Sequence, residues 1–483
     1  MIEAVLQNYV AGGWRASRSS TLLDVLNPAD GQPLAQVPIS TPEEVDEAVR
    51  AARHAFLEWR QVPAVERVQP LFRLKQLLEQ HQQELAVIIT RENGKTLQEA
   101  RGELRRTIEN VEVACGVPSL MQGRTLQQIG AGIDEVVERV PLGVCAVIPP
   151  FNFPVMVPCW FWPYTVACGN TVIVKPSERV PMAMQQLFGL ADEAGFPPGV
   201  LNLVNGDRTV TELLVRHPDV AAISSVTSTP TAKAIYALAG QHGKRAQCGG
   251  GAKNFMVVLP DAQLEKAVPN IVDSVYGSAG QRCLAGSNVI TVGTVAEELV
   301  PALVEAASRV IVGNGLDEGV TMGPVISRAA RERVLSYIER GVKDGAQLLL
   351  DGRRAGVPSE GYFIGPTIFD RVQPAMAIAG DEIFGPVLSI LRVSTLEQAI
   401  ELINASPYGN SAIIYTERGR AAREFAYQVD CGEIGVNVGV AAPMAFFPFG
   451  GRKESFFGAL HGQGQDAVDF FTEKKIIIQR WWG

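Results

Sequence analysis

The feature that most restricts the fold is an alternation of short β-rich runs with helical stretches through the middle of the chain. LGVCAVIP (142–149), TVIVKPS (171–177), VLNLVNG (200–206), VAAISSV (220–226) and FMVVLPD (255–261) are separated by segments of helical character. Strands this apolar need cover on both faces, which a parallel sheet between two layers of helices provides. An α/β fold follows, and in such a fold a dinucleotide binds at the carboxyl ends of the strands. From about residue 262 the pattern restarts, with GSAGQRCLAGS, NVITV (288–292) and further alternation through EIGVNV (433–438). A second α/β unit is expected, because 483 residues exceed what one hydrophobic core supports.

Before the first strand the chain reads as helical. Thr41-Pro42-Glu43-Glu44 is a capping box with proline at the first helical position. Val45, Ala48, Val49, Ala52, Phe56 and Trp59 then recur at three- and four-residue intervals, the period of a half-buried helix. Residues 64 to 92 and about 95 to 116 continue in that style. The tail, FFTEKKIIIQRWW, is strand-like yet far from either sheet in sequence, so pairing with another subunit is expected.

Composition excludes several classes. A net charge of -8 without basic runs opposes a nucleic-acid partner. Seven cysteines, odd in number and without C-x-x-C, point to reduced thiols in the cytoplasm rather than to disulfides or a zinc ribbon. The five histidines do not cluster, and no metal is expected. Residues 140 to 174 carry no charge and could span a bilayer by length, but prolines at 141, 149, 150, 154, 158 and 163 would leave backbone groups unpaired in lipid. A buried strand, a turn and a core helix suit them better. The first residues show no basic segment followed by a long apolar one, so no secretory signal is expected.

Among the cysteines, Cys283 stands apart. It ends the glycine-punctuated run Gly277-Ser278-Ala279-Gly280-Gln281-Arg282-Cys283, beside an arginine that would favour its thiolate. The others read as small core residues. Gly462-Gln463-Gly464-Gln465-Asp466-Ala467 fits the dinucleotide pattern G-x-G-x-x-A but follows no strand, and is set aside.

Phe151-Asn152-Phe153-Pro154, Val174-Lys175-Pro176-Ser177-Glu178, Gly280-Gln281-Arg282-Cys283 and Glu382-Ile383-Phe384-Gly385-Pro386, in that order, resemble the aldehyde dehydrogenase superfamily over nearly the whole chain. PFNFPVMVPCWFWPYTVACGNTVIVKPSERVP, GGAKNFMVVLPDA and FPFGGRKESFFGALHGQGQDAVDFFTEKK are closer still to its CoA-acylating methylmalonate-semialdehyde dehydrogenase branch.

The resemblance implies a role for each matching residue. Cys283 is the nucleophile that carries a thioester, and the Asn152 amide stabilises the oxyanion. NAD is the implied cofactor, with Phe151, Lys175, Glu178, Arg179, Ser228, Glu382 and Phe384 around it. The branch has an NAD-binding domain (here 1–121 and 141–247), a catalytic domain (248–440) and oligomerisation segments (122–140 and 465–483), assembling as homodimer or homotetramer. The chain departs from the family at Ser225 and Thr227, where an aromatic residue and a glycine are usual. A β-branched residue in a glycine's place would weaken or alter NAD binding.

Hydrolytic members carry E-L-G-G-K, whose glutamate activates water. Here Gln247-Cys248-Gly249-Gly250-Gly251-Ala252-Lys253 puts Cys248 in the glutamate's place. Without that base, coenzyme A is the implied acyl acceptor, since a thiol supplies thiolate near neutral pH more readily than water supplies hydroxide. Arg106, in Leu104-Arg105-Arg106-Thr107-Ile108-Glu109, and Arg282 match positions that hold a substrate carboxylate, implying malonate or methylmalonate semialdehyde. A hydrolytic enzyme with another base, or a binding protein on the same fold, remain the alternatives.

Overall fold

Thr41 begins a helix as the capping box predicts: Glu44 N donates to Thr41 Oγ1 at 3.3 Å and Thr41 N to Glu44 Oε2 at 2.8 Å. Such a cap stabilises the helix Pro42–Trp59 by about 1 kcal/mol. Helices Gln69–Gln80, Gln82–Asn93 and Leu97–Cys115 follow, the last opened by a second capping box at Thr96 and Glu99. The computed structural model describes residues 4–354 and 356–482.

The first four β-rich runs form strands of one parallel array, in the spatial order Leu201–Leu203, Thr171–Val174, Val144–Ile148, Val220–Val226, Arg245–Gly249. Alternate residues of Val144–Ile148 enter different cores. Val144, Ala146 and Ile148 pack with Ala48, Val49 and Leu214, whereas Cys145 and Val147 pack with Leu71, Leu104 and Leu187. The strand is therefore buried on both faces, as its composition requires. Chain order reverses between Val144–Ile148 and Val220–Val226, and the crevice beyond their carboxyl ends is where this kind of sheet receives a ligand.

The second sheet is built likewise. Thr367–Asp370, Val387–Val393, Gly286–Val292, Asn254–Val258, Ser411–Tyr415 and Glu433–Val436 run parallel, with Gln347–Leu350 antiparallel at one edge. Phe255 and Val257 face one core, Met256 and Val258 the other. The expected division at 247/248 falls inside the strand Arg245–Gly249, and Phe456–Phe457 returns to pair antiparallel with it. The uncharged stretch folds as Val144–Ile148, the short helices Met156–Cys159 and Trp162–Ala167, and Thr171–Val174. Among the described residues no helix is long and apolar enough to cross a membrane.

The tail is a strand, Thr472–Arg480, but it finds a partner within the chain: it lies antiparallel to Ile133–Pro141, which pairs in turn with Arg124–Gly130. It is the edge of this three-stranded sheet, with Ile476 and Ile478 exposed. The expected segment 465–483 splits, since the helix Gly464–Phe470 buries Ala467, Val468 and Phe470 in the first core.

Candidate active site

Cys283 is reached through an unusual backbone. The helix Leu264–Tyr276 ends at Gly277, after which Ser278 (φ 49°), Ala279 (φ 53°) and Gly280 (φ 73°) are all left-handed. Each of the two residues with side chains costs about 1 kcal/mol or more in that region. Hydrogen bonds offset the cost: Ser278 N donates to Glu99 Oε1 at 2.6 Å, and Gln281 Oε1 accepts from Ile326 N at 2.9 Å. Glycine is required at 280, where a Cβ would lie 2.3 Å from the Gly385 carbonyl oxygen. The Cys283 carbonyl accepts from Asn254 Nδ2 at 2.8 Å and Asn410 Nδ2 at 2.9 Å. The sulfur thus hangs from a fixed backbone.

Asn152 arrives from the other sheet, on the turn after Val144–Ile148. It is buried, and its Nδ2 donates to the Gln281 carbonyl at 2.9 Å, which brings the amide to the cysteine loop. Its own carbonyl accepts from Lys95 Nζ at 2.6 Å, and Lys95 pairs with Glu103 at 2.6 Å with both side chains buried. Glu103 Oε1 in turn accepts from Val155 N at 2.9 Å and Met156 N at 3.1 Å. Removing one partner of such a pair costs about 3–5 kcal/mol.

A cavity of 680 Å³ opens at the reversal of strand order and contains every residue expected around the cofactor. At one end Lys175 is buried, donating to the carbonyls of Pro176 (2.9 Å) and Gly206 (2.6 Å), with Glu178 at 3.8 Å. Burial pushes the Lys175 ammonium below its usual pKa. Arg179 borders the same end. Ser228 occupies the N-cap of the helix Thr229–Gln241, its hydroxyl spent on Thr231 Oγ1 at 3.1 Å rather than on the backbone. That helix end therefore faces the cavity without a side-chain cap, a setting that favours an anion.

Thr227 is not among the residues with positive φ, so its β-branch meets no conformational conflict there. At the opposite end Glu382 Oε1 accepts from Ala252 N at 2.8 Å, and burial raises its pKa. A Cβ on Gly251 would come within 2.4 Å of Glu382 Oε2. Phe384, itself left-handed at φ 58°, meets Phe151 edge to face with ring centroids 5.8 Å apart.

A second cavity, of 80 Å³, lies on the other side of the sulfur. Arg106, Arg282, Trp160 and Phe449 line it, and Cys283 and Phe153 border both cavities. Arg106 Nη1 pairs with Glu109 at 2.9 Å.

The expected activation of Cys283 by Arg282 does not occur. The guanidinium pairs with Glu99 at 2.9 Å and Asp273 at 3.6 Å, and burial, with the negative charge of Glu433 and Glu382, pushes the thiol up to about 12. Adjacency in sequence gave the wrong neighbour, because the arginine side chain turns back over Gly277.

Cys248 does not stand in the glutamate's place, contrary to expectation. It is buried in a core with Val144 and Ile235, and burial raises its thiol to about 12. Counting four positions back from Lys253, as E-L-G-G-K requires, puts Gly249 in the glutamate's place. Glycine has no side chain, so no base stands there.

The other five cysteines are buried as expected, and Cys283 alone is half-exposed. Gly462 to Ala467 opens the helix Gly464–Phe470, away from the large cavity. Among the described residues no group of three or more His, Cys, Asp or Glu could hold a metal.

Several residues of the site gave no signal in sequence. Asn254, Asn410, Lys95 and Glu103 act across long separations on backbone atoms, and isolated Asn, Lys or Glu residues are unremarkable in any sequence. Glu433 is another: one oxygen accepts from Gly450 N at 3.3 Å, the other is buried without a partner, and burial raises its pKa well above normal.

Known proteins resemble this chain over nearly its whole length. The sequence profile of the aldehyde dehydrogenase family matches residues 14–477. Malonate-semialdehyde dehydrogenase 2 of Geobacillus kaustophilus (strain HTA426) is 54% identical over 477 residues, covering 99% of each chain. The crystal structure of methylmalonate-semialdehyde dehydrogenase from Oceanimonas doudoroffii superposes with a TM-score of 0.98 at 42% identity, covering 99% of both chains. An NAD+ complex of aldehyde dehydrogenase from Bacillus cereus gives 0.95 at 33% identity, covering 98% of this chain and 96% of that one. The chain belongs to the aldehyde dehydrogenase family.

Proposed function

We propose that the protein oxidises malonate semialdehyde, or its 2-methyl homologue, with NAD and coenzyme A. The carboxylate leaves as carbon dioxide and the product is acetyl-CoA or propionyl-CoA. One observation carries this reading: Cys283 stands between a large cavity and a small arginine-lined one, and no side chain replaces the hydrolytic base at Gly249.

The large cavity suits NAD in three ways. Its uncapped helix end would face a pyrophosphate, Glu178 and Glu382 offer carboxylates to two riboses, and Gly250 and Gly251 keep the wall clear of side chains. Bound NAD supplies the hydride acceptor. Attack on the aldehyde and stabilisation of its oxygen fall to the protein. The Cys283 thiol adds across the aldehyde carbonyl, sulfur to carbon and proton to oxygen. Asn152, with one amide hydrogen committed to Gln281, directs the other at that oxygen, a contribution of about 2.7–4 kcal/mol.

Oxidation, with the hydroxyl proton of the adduct released to solvent, leaves a thioester on Cys283, and Arg106 and Arg282 orient its free carboxylate. Decarboxylation sends the electron pair to the adjacent carbon, which solvent protonates. Coenzyme A thiolate then takes the acyl group and the Cys283 sulfur is released.

We assign the cofactor to residues 1–121 and 141–247 and the cysteine to 248–440, a boundary that cuts the strand Arg245–Gly249 of the first sheet. We assign the sheet of Arg124–Gly130, Ile133–Pro141 and Thr472–Arg480 to assembly as a homodimer or homotetramer, and the unpaired thiols suit a cytoplasmic setting. Following NADH over many turnovers tests the acyl acceptor. Sustained formation with CoA and a single burst without it are expected; equal steady rates refute the CoA requirement.

A further inference from the structure

Two arginines line the small cavity, each paired with a glutamate, and the two pairs are not equivalent. Glu99, the partner of Arg282, is held from four directions. Besides the guanidinium it accepts from Thr96 N at 2.8 Å, Thr96 Oγ1 at 3.0 Å and Ser278 N at 2.6 Å. It closes the capping box of Leu97–Cys115 and anchors the cysteine loop, so it cannot leave Arg282 without loosening both.

Glu109, the partner of Arg106, is held by ion pairs alone among the contacts seen here. It lies three residues beyond Arg106 on the same helix, a spacing that places the two side chains on one face. Glu109 Oε2 is 2.9 Å from Arg106 Nη1, and Glu109 Oε1 is 3.5 Å from Arg105 Nε. Arg105 is half-exposed and also reaches Glu112 at 3.2 Å. A carboxylate between two adjacent guanidinium groups has a second place to go.

We propose that Glu109 is an exchangeable counter-ion for the substrate carboxylate. It occupies Arg106 in the free protein and shifts to Arg105 when the carboxylate of an incoming aldehyde takes its place. The exchange keeps Arg106 paired throughout, against walls that are otherwise largely apolar: Phe153, Trp160, Ala445 and Phe449. It also sets the affinity, because every carboxylated ligand must compete with Glu109. The inference rests on the reading of Arg106 as a carboxylate ligand.

Its test uses a binding readout that needs no turnover. Malonate, which carries the substrate's carboxylate but no aldehyde, is titrated for protection of Cys283 against iodoacetamide in the wild type, Glu109→Gln and Arg106→Leu. Glu109→Gln is expected to half-protect at a malonate concentration roughly three- to fivefold lower, the range of a partly exposed ion pair. The kcat/KM for malonate semialdehyde relative to propanal rises in step. Unchanged or weaker protection in Glu109→Gln, with Arg106→Leu losing it, overturns the exchange and leaves the carboxylate reading intact. Full protection in Arg106→Leu removes the carboxylate reading itself.

Discussion

At the scale of the residue, the site depends on where charges point rather than on which residues are neighbours in sequence. Arg282 precedes Cys283 but spends its charge on Glu99 and Asp273, so desolvation and the negative charge of Glu433 and Glu382 push the thiol of this half-exposed residue up to about 12. The sign is simple: below that value the reactive thiolate is a minor form whose fraction rises about tenfold per pH unit. Alkylation of the free protein by iodoacetamide is therefore expected to accelerate about tenfold per unit from about pH 7 to 9 without levelling. A plateau near neutrality would show a thiolate stabilised by a cation. Cys283, Asn152, Lys175, Glu178, Glu382 and Phe384 were legible because they sit in family motifs. Glu433 and the asparagines 254 and 410 were not, since their partners are backbone atoms 17, 29 and 127 residues away.

At the scale of the element, local pattern carried most of the information. The box at Thr41, the period of Pro42–Trp59 and the β-rich runs each specify their own structure, because capping and burial are decided within a few residues. The cysteine loop is the exception. Its three left-handed residues are held by Glu99 and Ile326, and only Gly280 hinted at them. Gly280→Ala must move the Gly385 carbonyl, which a Cβ would approach to 2.3 Å. Activity is expected to fall by about a hundredfold or more with the fold retained, since a misplacement of about 1 Å costs that much. Circular dichroism beside steady-state rates checks this, and a wild-type rate would show that the loop has slack.

At the scale of the molecule, the two sheets bring Asn152 and Cys283 together from opposite sides, and no local pattern encodes that meeting. The tail shows the same limit: its strand character was legible, but its antiparallel partner, Ile133–Pro141, was not. Its free edge carries Ile476 and Ile478 into solvent in the single chain. If this edge mediates assembly as proposed, changing both to lysine is expected to lower the mass measured by light scattering without unfolding the monomer; an unchanged mass would contradict that assignment.

The central claim is that the acyl group passes through the sulfur at 283. The direct measurement is peptide mass spectrometry after mixing the protein with NAD and malonate semialdehyde, without coenzyme A, and quenching in acid. The account predicts one acyl group, on the peptide containing Cys283, that disappears when coenzyme A is added before the quench. An acyl group on another residue, or NADH formed with no acylated peptide, would contradict it.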